Sequence, residues 1–495
     1  MKLAWIGVAL VACGGSPAPA PAPTPAAPPP APAPVAVKSL DGIWRGVLGG
    51  QLHVQIRITG EQCTLDSLDQ HAMGIPCGNV VAKPTELTFD VPLVKGSFKG
   101  TVSADANTVT GQWTQPAGSA PLTLTREDKA IEAPALKLDP QMDAVDVEKI
   151  QAVLDSDLAP LSSTVFAPAT GIGVTVGIVE HGTRKIFTYG SMKPDTVFEI
   201  GSITKTFTGL VLAQMVEQKQ VKLDQPVREL LPKGTVTAPA TGSEITLLDL
   251  SAQRSGLPPM PDNFKPKDLD NPYADYDAKA LYAFMTGHGV ALPDKPEFKY
   301  SNLGVGLLGQ ALANRANSSY EALVKKQVLI PLGMKDTVVK LTPALVKRFA
   351  VGHDGTGKAV HAWDLDGLAG AGALRSTAAD MLTYLEAQLH PDKLKLKSAE
   401  GKTLPAAITA SHEVRGDAMP GMHIALNWLR LDETGMYWHN GGTAGFNSFA
   451  MFDPVRDFGV IVLVDQFDEE KALADQIGKH IVQRLIGKPA PTVGQ

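Results

Sequence analysis

Only three cysteines occur in 495 residues, and several other signals are missing too. No long run of lysine and arginine appears. The net charge is −6 with a pI near 6.0, which disfavours nucleic acid as a partner. The eleven histidines form no His-Glu-x-x-His pattern, so the sequence offers metal hydrolysis no support. Neither a glycine-rich phosphate loop nor a Gly-x-Ser-x-Gly elbow is present. The N-terminal apolar run, Leu3 to Ala12, is too short to span a bilayer. What is there is a hydrophobic content of 44 %, suited to a packed core. The length fits two or three domains.

The short apolar run follows Lys2 and fits a secretory signal over residues 1–12. Leu10-Val11-Ala12-Cys13 resembles a bacterial lipobox, which implies cleavage before Cys13 and acylation of that cysteine. An ordinary signal peptide with an incidental cysteine is the alternative. Gly14 is not the aspartate that holds lipoproteins at an inner membrane. In a two-membrane bacterium the resemblance therefore implies a lipid-anchored protein of the cell envelope, on the outer membrane and facing the periplasm. Cys63 and Cys77 then remain in an oxidising compartment, where a disulfide between them is expected. Closing that loop would stabilise a small domain by about 3 kcal/mol. Two buried thiols are the alternative.

Residues 13–37 read as a linker, and 17–36 are almost entirely proline and alanine. Such a run builds no core and favours polyproline II at about 3.1 Å per residue, a semi-rigid stalk of roughly 60 Å. From 38 to 130 the signals turn to strands. Leu52, Val54, Ile56 and Ile58 alternate with polar residues, as do Leu87, Phe89 and Val91. That period marks half-buried antiparallel strands. A small antiparallel barrel or sandwich of six to eight strands is expected. Trp44 and Trp113 fall in such alternating stretches, so they read as core residues rather than sugar platforms.

Residues 140–490 carry the chemistry. Strand patterns at 171–190 give way to helices and loops from 202 to about 390. Strands return near 424–430, 436–440, 446–452 and 458–465, and a helix follows near 469–486. The fold class is therefore α+β: an antiparallel sheet made by both ends of the domain, flanked by helices, with an inserted helical lobe. At the head of the first helical stretch stands Ser202-Ile203-Thr204-Lys205. Residues at i and i+3 share a helix face, so Lys205 can reach the Ser202 hydroxyl. A neutral lysine in an apolar setting can take its proton. Tyr300-Ser301-Asn302 and His439-Asn440-Gly441-Gly442 follow in that order.

This ordered set resembles the serine β-lactamase and penicillin-binding protein family. Within it, the likeness is to the branch of class C β-lactamases, D-alanyl-D-alanine carboxypeptidases, D-aminopeptidases and esterases. Phe198-Glu199-Ile200-Gly201, Ser255-Gly256-Leu257-Pro258, Pro331 to Thr337 and Leu374 to Asp380 look like the same branch, and the likeness spans about 145–487. It implies a β-lactamase-like fold with the site at the seam between lobes. Ser202 is then the nucleophile, Lys205 its proton acceptor and Tyr300 the second member of the relay. A phenol beside a lysine ammonium has its ionised form stabilised, so the Tyr300 pKa is expected to fall. Asn302 suits a substrate amide. Backbone N–H groups of Ser202 and Gly442 would form the oxyanion hole. Gly441, free of side-chain bulk, would let substrate lie along the strand edge beside His439.

Class C β-lactamases carry lysine where this chain has His439. Histidine is mostly neutral at pH 7, which argues against an efficient β-lactamase. Arg375 and Thr377-x-x-Asp380 read more simply as structural, the latter as a capping box. Residues 262–277, without a periodic pattern, suit a loop at the mouth. The sequence therefore points to an envelope-anchored serine hydrolase working through an acyl-enzyme on esters or D-amino-acid, peptidoglycan-type amides. A class C-like β-lactamase is the nearest alternative. From another class comes a non-catalytic penicillin-binding sensor or scaffold. No cofactor or metal is implied. The partners expected are a small ester, peptide or β-lactam and the membrane, with the protein a monomer.

Overall fold

The computed structural model describes residues 39–131 and 143–494, apart from 51, 61, 69–71, 116, 117, 395 and 397. The signal segment, Cys13 and the proline–alanine stretch lie outside the described residues. The chain divides into two compact units, Met1–Pro134 and Ala135–Gln495.

In the first unit nine strands follow one another: β1 (Gly42–Leu48), β2 (Leu52–Thr59), β3 (Gln62–Ser67), β4 (Ala72–Pro76), β5 (Gly78–Lys83), β6 (Glu86–Val91), β7 (Gly96–Val102), β8 (Thr108–Gln115) and β9 (Gly118–Glu127). Their order is β4-β3-β2-β1-β9-β8-β7-β6-β5, with every pair antiparallel. The two end strands of that order are separated in sequence by Cys77 alone, so the sheet must curl round and close on itself. Nine strands exceed the six to eight expected. The excess lies at this seam, where β5 shows no buried apolar face to betray it. Trp44 and Trp113 are buried in the barrel core with Leu87, Phe89 and Phe98. Cys63 and Cys77 form a disulfide, and the Cys77 N–H also donates to the Cys63 carbonyl at 2.9 Å. Replacing both cysteines by serine is expected to lower the unfolding transition of this unit by about 3 kcal/mol. Calorimetry would show it, and an unchanged transition would mean that the closed sheet needs no staple.

The second unit is built on an eight-stranded sheet. Its strands are β10 (Gly173–Glu180) and β11 (Thr183–Gly190), then, far along the chain, β16 (Gly416–Asp417), β17 (Met422–Ile424), β18 (Leu429–Leu431), β19 (Tyr437–Gly442), β20 (Asn447–Asp453) and β21 (Phe458–Val464). Two short pairs lie between, β12 (Phe198–Glu199) with β15 (Arg375–Ser376) and β13 (Gly352–His353) with β14 (Ala359–Val360). The large sheet runs β11-β10-β21-β20-β19-β18-β17-β16. Both ends of the unit thus make one antiparallel sheet. β20 and β21 are buried along their whole length, which explains sequences such as Phe458–Val464 with no polar alternation. One face packs under the helices Ile150–Asp157 and Leu473–Leu485, the other under Ala378–Leu389 and the helical lobe. The stretch 424–430, read from sequence as one strand, is instead a hairpin. Asn427 takes a left-handed conformation with φ of 66° between β17 and β18, a turn that asparagine tolerates better than most residues.

Candidate active site

Ser202 stands in a single 3-10 turn, Gly201–Ile203, that runs straight into the helix Thr204–Glu217. That helix is buried nearly all round, as its apolar composition requires. The pitch delivers the expected pair: Lys205 Nζ lies 2.8 Å from Ser202 Oγ. A second bond, from Nζ to the Ala371 carbonyl at 2.7 Å, fixes the amine from the other side. Lys205 is fully buried, and that burial pushes its pKa well below the ordinary 10.5. The neutral amine can then donate to Ala371 and keep its lone pair for the serine proton.

Tyr300 precedes the helix Asn302–Arg315, whose N-cap is Ser301. The Ser301 hydroxyl accepts from Gly304 N–H at 2.9 Å and donates to the Pro258 carbonyl at 2.7 Å. Gln253 Oε1 accepts from Ser301 N–H at 2.8 Å. The Ser255–Pro258 segment therefore helps to seat Tyr300. Lys205 Nζ lies over the Tyr300 ring, 4.8 Å from its centroid, and the Ser202 side chain is near enough to the phenol to oppose the rise in its pKa. Although the residue as a whole is 38 % exposed, desolvation of its phenol pushes its pKa up rather than down. This corrects the sequence expectation. That expectation assumed a lysine ammonium beside the phenol, whereas a neutral amine offers no charge to stabilise a phenolate.

His439, on β19, is buried with its ring 6.4 Å from that of Tyr300. Its Nδ1 lies 2.6 Å from the Asn440 carbonyl, which sets the Nδ1–H tautomer and leaves Nε2 as the acceptor. Burial, with Lys205 adding to it when charged, pushes its pKa down to about 3. The histidine is neutral, as its residue type suggested.

The nucleophile turn and β19 meet closely. β18 pairs only with Tyr437 and Trp438 of β19, so the edge from His439 to Gly442 is open towards Ser202. Thr443 N–H bonds back to Phe446 at the turn into β20. Ladder alternation therefore turns the Gly442 N–H to the open side. A Cβ on Gly441 would lie 2.9 Å from Ser202 N, and one on Gly201 would lie 2.8 Å from Gly442 N. Both candidate oxyanion donors thus border one small space. Ser448 of β20 pins the turn to the sheet by donating to the Ile200 carbonyl at 2.9 Å.

A narrow cleft of about 40 Å³ opens on Ser202 and is lined by Asn302 and Gly442 among others. Tyr273, Trp363, Leu365 and Leu368 also line it, and sequence reasoning missed all four. Tyr273 comes from the patternless 262–277 stretch, which does lie at the mouth. Its ring packs at a tilt against Trp363, with centroids 4.9 Å apart, and Asn271 and Asp364 exchange two hydrogen bonds beside them. Arg375 is structural: buried, it bonds Glu199, Asp364 and the carbonyls of Val339 and Trp363. Thr377 caps its helix by accepting from Asp380 N–H. The Asp380 carboxylate does not reciprocate; it takes the Asp336 N–H and the Thr337 hydroxyl.

The chain is similar to known proteins. The family model described as Beta-lactamase matches residues 163–482. The D-alanyl-D-alanine-carboxypeptidase/endopeptidase AmpH of Escherichia coli K12 is 24 % identical over 344 residues, which cover 66 % of this chain and 88 % of that one. A Beta-lactamase of Pseudomonas fluorescens is 25 % identical over 358 residues, covering 64 % and 94 %. Among solved structures, a class C β-lactamase from Rhodobacter sphaeroides superposes with a TM-score of 0.54 at 24 % identity, covering 67 % of this chain and 98 % of its own. That likeness carries the fold. The family match takes in the nucleophile turn, the buried lysine and the open strand edge together, and by it the chain belongs to the Beta-lactamase family of serine hydrolases.

Proposed function

We propose that this protein hydrolyses esters or D-amino-acid amides of the peptidoglycan type through an acyl-enzyme on Ser202. One observation carries the reading: a fully buried Lys205, pushed towards neutrality, sits 2.8 Å from the Ser202 hydroxyl. Lys205 takes the serine proton as Ser202 attacks the carbonyl. The N–H groups of Ser202 and Gly442 stabilise the oxyanion, each contributing on the order of 3 kcal/mol. The proton then passes through the Tyr300 hydroxyl to the leaving group, and water attacks the acyl ester in the reverse sense. Tyr300 stays protonated at rest, so it can donate.

His439 shapes the substrate preference. A neutral imidazole offers no permanent charge for the carboxylate of a β-lactam, which favours peptidase or esterase chemistry over efficient β-lactam hydrolysis. The AmpH relative, named a D-alanyl-D-alanine-carboxypeptidase/endopeptidase, supports the peptide side. Anchoring to the outer membrane by an acylated Cys13, facing the periplasm, belongs to the same proposal and rests on the lipobox-like sequence.

Intact-protein mass spectrometry with a fluorophosphonate and a penicillin tests it. Ser202→Ala should abolish labelling and steady-state ester turnover. A lasting penicillin adduct would support the peptidase, and none would favour the esterase. An adduct that clears quickly would restore the β-lactamase. No labelling by either reagent would sink the hydrolase and favour a sensor or scaffold.

A further inference from the structure

The oxyanion strand is held from behind by groups that play no part in the steps above. Asn447 of β20 stands opposite Gly442 in the strand register. Its Nδ2 donates to the Gly441 carbonyl at 3.1 Å and lies 3.4 Å from Asp475 Oδ2. Its Oδ1 accepts the Ala474 N–H at 2.7 Å. Asp475 Oδ1 in turn accepts from Asn440 Nδ2 at 2.9 Å. Both residues are almost wholly buried, Asn447 at 3 % and Asp475 at 6 % exposed.

The target of the first bond matters. The Gly441 carbonyl and the Gly442 N–H belong to one planar trans peptide and point in opposite directions. Fixing the oxygen on the β20 side therefore aims the N–H at the Ser202 side. The ladder already turns this carbonyl towards β20, where Gly441 stands opposite Ser448. But the peptide lies between two glycines, the residues with the most backbone freedom, and the Asn447 amide adds a side-chain hold on it. An oxyanion donor works only when it is already aimed at the developing charge.

We infer that Asn447 and Asp475 are positioning residues that set the orientation of the Gly442 N–H, acting through the Gly441 carbonyl and Asn440. The inference rests on the acyl-enzyme reading above. A purely structural role, tying the helix Leu473–Leu485 to the sheet, would make the same contacts but leave each folded active site at full speed.

The test uses the full chain, a chromogenic ester, and active sites counted by fluorophosphonate labelled to completion. For Asn447→Ala, kcat per labelled site should fall about ten- to a hundredfold, with KM within about twofold. Inhibition by a boronic acid, whose tetrahedral adduct places an oxygen in the same hole, should weaken in step with kcat/KM. Asp475→Asn keeps one acceptor oxygen and should show a smaller loss of the same kind, which guards against the first variant failing to fold. Wild-type kcat per site in both variants, with only the labelled fraction or the unfolding temperature reduced, would overturn the inference alone. Wild-type protein that neither labels nor turns over would overturn the hydrolase reading and this inference with it.

Discussion

Lys205→Met is expected to abolish turnover and, at the same time, to flatten the pH dependence of stability. General-base assistance is worth about 10²–10⁴-fold, and methionine cannot take the Ser202 proton. The stability effect follows from burial. The Lys205 pKa lies well below 10.5 in the folded protein, so between the two values the unfolded chain binds a proton that the folded chain does not. Stability then rises with pH across that window. The handicap is fully present below the folded pKa and gone above 10.5. Methionine carries no such handicap. The difference in unfolding temperature between Lys205→Met and wild type should therefore shift in favour of the variant as pH falls from near 10 to near 7. Melting curves at both pH values measure it. A difference that stays constant would show that Lys205 is charged in the folded state, and the proton-acceptor role would fall.

Gly441→Ala should be nearly as damaging. Its new Cβ would lie 2.2 Å from the Ile200 carbonyl oxygen, 2.5 Å from Ser448 Oγ and 2.9 Å from Ser202 N. Two of the three are backbone atoms of the nucleophile turn and cannot swing aside. β19 must then lift off that turn, separating the Ser202 and Gly442 N–H groups. Loss of a single oxyanion donor costs about 10²–10³-fold, so a fall in kcat/KM of that order is expected. Gly287→Ala is the control, because nothing lies within 4 Å of its Cβ position. Equal activity in both variants would mean that β19 is not seated against the nucleophile turn.

The parts of this site that local chemistry dictates could be read without coordinates. Ser202 and Lys205 are three residues apart at the head of a helix, and either a 3-10 or an α turn brings residues so spaced to one face. The neutrality of His439 followed from the ordinary pKa of imidazole, which burial only lowers further. Tyr300 failed in one respect: its pKa depends on the charge of Lys205, and that charge depends on burial, which no spacing reveals. The cleft walls were illegible for another reason. Tyr273 and Trp363 come from loops without a period, and the Ala371 carbonyl that holds Lys205 is a backbone group 166 residues away. In the barrel, β2 and β6 announced themselves by alternation, while β5, with little to bury, did not. Asn447 and Asp475 look in sequence like any polar pair near a strand and a helix. Only the register that places Asn447 opposite Gly442 gives them a role.

Strand order also sets a timetable for folding. In the barrel every neighbour is the next strand along the chain except where β1 meets β9, so all its pairings are available once residue 127 has been made. The other sheet waits. Its interior strand β21 is the partner of β10, with Val176 opposite Val462, and the Gly173 N–H closes on the Asp465 carboxylate across 292 residues. Contacts so distant must overcome the loop-closure entropy of nearly the whole unit, and they form slowly. Until the last stretch of chain arrives, β10 and β11 remain a hairpin with an unpaired apolar edge. A nascent or truncated chain that stops short of residue 458 is thus exposed to aggregation through that edge, while its barrel is already complete.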